Sequence, residues 1–329
     1  MHPDSARELK ARILDGLPTA TAAAVAPGAN GPWPWVAVGL VPVAAGRVRV
    51  AVRLQRDADR SLLPDLGRAA GAEIDLRVIG RVRALSSPAL SYPSVSVASV
   101  DLRRRARPLR PGVSVAHPSV TAGTLGGFVR TPGGLAVLSN NHVLAASDAA
   151  TEGDPILQPG PADGGARCDR VATLSAFQRF RSGSPNLVDA AVAVVDAGVD
   201  AAPGDLSGGP LAGAVPSALD VEPAEAVEKV GRTTGHTRGR ISAVEVDAVA
   251  VQYGDQVHRF DDQIEIEGLS GPFSAGGDSG SVIWRSRDRA PVALLFAGSS
   301  AGGPRGGGVT FANPLATVFG VLDVAWVTE

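Results

Sequence analysis

The chain has 329 residues, of which 44% are hydrophobic and only 4% aromatic, with 40 glycines and 25 prolines. A formal net charge of -2 and a pI near 6.2 argue against any overall attraction to nucleic acid or to an acidic membrane surface. A single cysteine, Cys168, excludes an intrachain disulfide and reads as an ordinary surface or half-buried thiol.

The amino terminus, Met1 to Glu8, is polar and of mixed charge, with no apolar run behind a basic start, and no segment approaches the ~18 apolar residues that span a bilayer. The expectation is a soluble, cytoplasmic protein. Ala6, Leu9 and Ile13 share one face of a short amphipathic helix over residues 5–15. Strands follow at 35–41 and 47–54, the second alternating Val48, Val50, Val52 and Leu54 against Arg47, Arg49, Ala51 and Arg53. A second helix is expected around 59–70, capped near Asp57 or Asp59, and a strand over 73–82. Together these predict a small α/β N-terminal domain over residues 1–95, to which the sequence assigns no chemistry.

Residues 96–117 read as an Arg/Pro-rich linker, with five arginines and two prolines between Asp101 and Gly112. Solvated arginines, or arginines pinned to acidic neighbours, account for it better than nucleic-acid binding does. From 118 onward the texture becomes glycine-punctuated strands: 123–130, a turn at 131–134, 135–138, then 190–195, 239–251, 257–267, 281–285, 291–297 and 307–311. A closing helix begins at Asn313 as cap, with Pro314 in its first turn. The expected class is mainly β, a barrel or sandwich. The Gly-rich run 302–308 lacks a phosphate-loop lysine and reads as a hairpin.

The stretch from Phe273 to Trp284 sets Ser279 between glycines and runs directly into an apolar strand. Such a turn can expose a serine hydroxyl and aim backbone N–H groups inward, although Gly, Asp and Ser also make plain hairpin loops. A serine nucleophile needs a histidine base and a buried carboxylate to orient it. Of the five histidines, His142 stands where the strand 135–138 ends, and Asp189 is a lone charge at the mouth of an apolar strand. Asp154, Asp169 and Asp196 lie in more polar stretches. His236 has no metal-ligating partner at usable spacing and reads as a turn residue.

Ser139-Asn140-Asn141-His142-Val143-Leu144, Asp189-Ala190-Ala191-Val192-Ala193 and Gly276-Gly277-Asp278-Ser279-Gly280-Ser281, in that order, resemble the motifs of chymotrypsin-fold, trypsin-like serine proteases over roughly residues 118–329. Gly123 to Gly126, Gly153 to Gly160 and Val230 to Gly239 resemble in particular the bacterial and plant NARROW LEAF-type branch. The resemblance implies two six-stranded β-barrels and a serine endopeptidase acting through an acyl-enzyme. Ser279 would be the nucleophile, His142 the general base and acid, Asp189 the orienting carboxylate, and the Gly277 and Ser279 amides the oxyanion hole. It implies a protein or peptide substrate and no cofactor or metal.

Two departures from the family pattern matter. Zymogens of this kind are cut just before the first barrel so that a new amino terminus meets the aspartate preceding the serine, here Asp278. This chain has a whole domain there, and Arg110 is followed by Pro111. Asp278 is therefore expected to be satisfied internally, with activity controlled by the N-terminal domain or a regulatory protein partner. The floor of the specificity pocket falls on Phe273 or Ser274, neither of them acidic, and its wall on Phe296 to Ser299, including Gly298. An apolar or small side chain is the expected preference. The alternative is a catalytically silent, protease-like module that binds peptides in the same cleft.

Overall fold

The computed structural model describes residues 1–18, 34–63, 73–85, 101–206, 208–216 and 221–329. Helix α1 (Pro3–Asp15) leads to β1 (Val36–Ala44), β2 (Arg47–Leu54), β3 (Ile74–Val78) and β4 (Arg83–Ala84). There follow β5 (Ser114–Val115), β6 (Gly123–Thr124), β7 (Gly127–Thr131), β8 (Gly134–Ser139), the one-turn helix α2 (Asn141–Leu144), β9 (Pro155–Leu157), β10 (Arg170–Phe177) and β11 (Ala191–Val195). The last part holds β12 (Ala226–Gly231), β13 (Gly235–Asp247), β14 (Val249–Tyr253), β15 (Gln256–Phe260), β16 (Gln263–Gly268), β17 (Val282–Arg285), β18 (Pro291–Gly302), β19 (Gly308–Pro314), α3 (Leu315–Leu322) and β20 (Ala325–Val327). The chain is mainly β, and among the described residues no helix is long and apolar enough to cross a membrane.

β12, β13, β16, β19, β18 and β17 each pair antiparallel with the next, and the last with the first, which closes a six-stranded barrel. Its interior is filled by Val227, Ile241, Ile264, Ile266, Phe273, Ile283 and Leu295. The preceding sheet runs β20-β7-β8-β11-β10-β9 and remains open as a ladder, meeting the short β5–β6 pair through an isolated bridge between Ala116 and Leu157. The expected strand 123–130 is split into β6 and β7. Gly126 lies between them so close to the Gly280 carbonyl that a Cβ would come within 2.1 Å of it.

The N-terminal strands join the barrel's own sheet. β1 pairs antiparallel with β13 (Val38 with Asp247, Leu40 with Val244), and β2 lies between β1 and the parallel β3. α1 packs Ala6, Leu9 and Ile13 on Val50, Val52 and Leu54, the residues that alternation assigned to one face. The opposite face of β2 is also buried: Ala51 packs into the barrel side, and the Arg53 guanidinium pairs with Glu265 at 2.7 Å with neither side chain reaching solvent.

Three expectations change. The second helix is a 3-10 turn over Asp57–Leu62, with 64–70 outside the described residues. The expected linker, of which 96–100 lie outside the described residues, is pinned along 101–117. Leu109, Val113, Val115 and Ala116 are buried, while Arg104, Arg105 and Arg110 pair with Asp101, Asp169 and Asp205. Apolar residues interleaved among the arginines give the segment a face to bury. Asn313 lies within β19 instead of capping α3, because its side chain is taken by Asp189 and Gln263.

Candidate active site

The site forms where the barrel meets the open sheet. β8 delivers Ser139, whose hydroxyl donates to the Thr124 carbonyl at 2.8 Å, and Asn140 then starts α2, which presents His142. Asn140 Nδ2 donates to the Asp189 carbonyl at 2.7 Å, tying the start of α2 to the mouth of β11. Asp189 Oδ2 lies 2.5 Å from His142 Nδ1, and its Oδ1 accepts the His142 backbone N–H at 3.2 Å. Neither side chain is exposed. An ionised carboxylate only accepts, so this contact puts the proton on Nδ1 and leaves Nε2 free to take one.

Two further groups hold Asp189. The Tyr253 hydroxyl donates to Oδ2 at 2.8 Å, and the Asp189 N–H donates to Asn313 Oδ1 at 3.0 Å. Burial, and then the Asp189 charge, push the Tyr253 phenol well above its ordinary range, so it stays a donor. Sequence reasoning missed Tyr253. The available signal was a tyrosine ending an apolar strand, where a buried hydroxyl must find a partner.

Ser279 sits on a turn whose geometry requires glycine at two places. Gly277 has φ +94°, and Gly280 has φ +92° with no room for a Cβ, which would fall 2.1 Å from Ser139 Oγ. Thr124 braces the turn: its N–H donates to the Ser279 carbonyl at 2.8 Å, and its hydroxyl donates to the Gly277 carbonyl at 2.9 Å. Ser279 Oγ donates to the Phe296 carbonyl at 3.3 Å, and His142 Nε2, buried, has no hydrogen-bond partner. The Ser279 hydroxyl and His142 Nε2 are thus not hydrogen-bonded to each other.

Asp278 is satisfied within the chain. It accepts the backbone N–H groups of Thr233 (2.8 Å), Thr234 (3.1 Å) and Ala275 (3.0 Å) and the Thr234 hydroxyl (2.7 Å). Lys229 Nζ completes the set at 3.2 Å, with both side chains fully buried. Burial pushes the Lys229 ammonium below its ordinary value against the pull of Asp278.

The expected pocket residues divide. Leu85 packs against the cluster containing Phe273, and Gly298 leaves just enough space beside it, since a Cβ there would lie 3.4 Å from Leu85 Cδ1. The Ser274 hydroxyl lies 2.7 Å from that of Thr310. Phe296 contributes its backbone, because its ring packs tilted against Phe260 with centroids 4.8 Å apart, and Ser299 bonds within its own hairpin. Leu85 also meets the Ser279 turn, its carbonyl accepting the Gly277 N–H at 2.5 Å.

His236 lies 2.5 Å from Glu228 and stacks on Trp284, away from the site. His258 packs between Phe180 and Tyr253, where burial pushes its imidazole down. Among the described residues no group of three His, Cys, Asp or Glu side chains is placed to hold a metal.

No family model matches the chain, and no curated protein matches it. Among solved structures it is similar to a glutamic acid specific serine protease that uses a histidine triad in substrate binding, at 18% identity and TM-score 0.48, over 67% of this chain and 100% of that one. Cellulomonas bogoriensis chymotrypsin aligns at 20% identity and TM-score 0.46 over the same shares. Nocardiopsis protease aligns at 17% identity and TM-score 0.46, again over 67% of this chain and 100% of that one. These neighbours are serine proteases; at that degree of likeness no family membership and no residue role follows for this chain.

Proposed function

We propose that the chain is a serine endopeptidase of the chymotrypsin type that cleaves peptide bonds through an acyl-enzyme on Ser279. The observation that carries this reading is the fully buried Asp189–His142 pair, which follows Ser139, a residue packed so closely on the Ser279 turn that a Cβ at Gly280 would fall 2.1 Å from its Oγ. In this mechanism Ser279 Oγ swings from the Phe296 carbonyl to His142 Nε2, which takes its proton as the hydroxyl adds to the substrate carbonyl. Asp189, held by Tyr253 and Asn313, stabilises the imidazolium. The Gly277 and Ser279 amides receive the oxyanion, and one such donor is worth ~10²–10³ in rate. His142 then returns the proton to the leaving amine, and water reverses the steps on the ester.

With Lys229 in the place that a liberated amino terminus would fill, the oxyanion turn needs no activating cut ahead of β5. Assignment to the NARROW LEAF-type branch rests on the motifs at 123–126, 153–160 and 230–239 alone. A silent peptide-binding module is the second reading, favoured by the missing Ser279–His142 hydrogen bond. Covalent labelling by a fluorophosphonate probe decides between them. Labelling that is lost in Ser279→Ala supports the protease. No labelling, even when Leu85 is replaced to empty the cleft, leaves the silent module.

A further inference from the structure

β4 lies as an extended segment between β18 and β14, beside the Ser279 turn. It pairs antiparallel with β18, Ala84 opposite Ala297 and Arg83 opposite Gly298, and the Leu85 N–H donates to the Phe296 carbonyl at 3.2 Å. On its other side Arg83 pairs with Gln252 of β14, the Gln252 N–H donates to the Val82 carbonyl at 3.0 Å, and the Val82 N–H donates to Gln55 Oε1 at 3.0 Å. Val82 and Ala84 are buried. The main-chain pattern is that of a peptide added as a strand, with pockets left to read its side chains. One bond departs from a purely structural strand: the Leu85 carbonyl leaves the ladder and takes the Gly277 N–H, the amide assigned above to the oxyanion. The Phe296 carbonyl meanwhile receives both the Leu85 N–H and the Ser279 hydroxyl, which places Ser279 Oγ next to the Leu85 backbone.

We propose that residues 82–85 are a built-in substrate, that Leu85 fills the primary specificity pocket, and that Ser279 cuts the bond joining Leu85 to Ser86 in its own chain. This rests on the protease reading above and adds its specificity, an apolar residue of leucine size on the acyl side. Ser279 Oγ adds to the Leu85 carbonyl carbon while His142 takes the hydroxyl proton. The carbon–nitrogen bond to Ser86 breaks, and the Ser86 nitrogen departs with that proton. A water, deprotonated by His142, then displaces the ester, leaving Leu85 as a free carboxylate and Ser279 with its hydroxyl restored. The net change is one amide and one water to one carboxylate and one ammonium. Gly298 and Phe273 set the preference, the first by leaving room and the second as part of the apolar wall.

The test uses the full chain, purified as wild type, Ser279→Ala and Leu85→Asp, with intact mass followed over time at several dilutions and fluorophosphonate labelling read in parallel. The expected wild-type products end at Leu85 and begin at Ser86, at a rate independent of protein concentration, while Ser279→Ala stays whole. Leu85→Asp slows the cut about 10- to 200-fold, the range that one pocket contact commands, and labels faster because the pocket empties. Leu85→Ala gives the same result in milder form if the aspartate variant does not fold. A wild-type chain that stays whole overturns the proposal. If the Leu85 variants label in that case, the protease reading stands without it; if they do not, both fall.

Discussion

Lys229 shares the inward side of β12 with Val227 and Gly231, and its ammonium meets Asp278 where neither touches solvent. A buried charge pair contributes little net stability over an apolar pair of the same shape, but removing one partner strands the other. Lys229→Met is therefore expected to cost about 3–5 kcal/mol, read from the urea midpoint, and to slow fluorophosphonate labelling as the turn carrying Gly277 and Ser279 loosens. The need of Asp278 for an internal partner was legible in the sequence, since a buried carboxylate must be paired and Arg110 is followed by Pro111. The partner was not, because it lies 49 residues away on β12. Only the period-2 position of Lys229 among inward residues hinted at it. The pairing of His142 with Asp189 was legible because one follows the end of the apolar strand β8 and the other precedes the start of β11. Tyr253 and Asn313 were not, since the group they serve is reached only once the barrel closes.

α1 shows how an element is held by one apolar face and a few charges. Its Arg7 pairs with Glu245 of β13 at 2.7 Å, and Lys10 pairs with Asp247 at 2.7 Å. The hydrogen bond from Arg7, and then its charge, hold the Glu245 carboxyl below the usual range despite partial burial. A carboxylate lowered in this way contributes stability that is complete above its unfolded value of about 4.3 and lost as pH falls through the lower folded value. The protection of the α1 amides, measured against their intrinsic exchange rates, is accordingly expected to fall as pH drops below that value, and Glu245→Gln to flatten part of the dependence. Being half exposed, the pair contributes at most about 1 kcal/mol. The helix face at Ala6, Leu9 and Ile13 could be read from spacing, as could β2. The pairing of β1 with β13 could not, because strand partnership across about 200 residues leaves no local trace.

At the scale of the molecule, the sequence divides into an N-terminal piece and a glycine-punctuated remainder, while the hydrogen bonds tie the two together. β1 extends the barrel's sheet, β4 lies between β18 and β14, and the Arg53–Glu265 pair seals the seam between β2 and β16 with Ser242 also donating to Glu265 at 2.7 Å. Arg77 and Arg240 share Glu267 a short way along β16, Arg240 at 2.9 Å. The composition foretold a mainly β protein, and the barrel's closure came from six strands whose order in space differs from their order in the chain.

That seam makes scission and separation two different events. Severing the backbone after Leu85 removes one covalent bond and none of the pairings that hold the first 85 residues, so the nicked protein is expected to elute as one particle from a sizing column and to run as two bands on a denaturing gel. The freed carboxylate stays at the high local concentration of a tethered ligand, and buried charges are little weakened by salt. Such a molecule behaves as a latch already unlocked but still shut, whose opening time is set by how fast β1 peels from β13 and not by how fast Ser279 cuts.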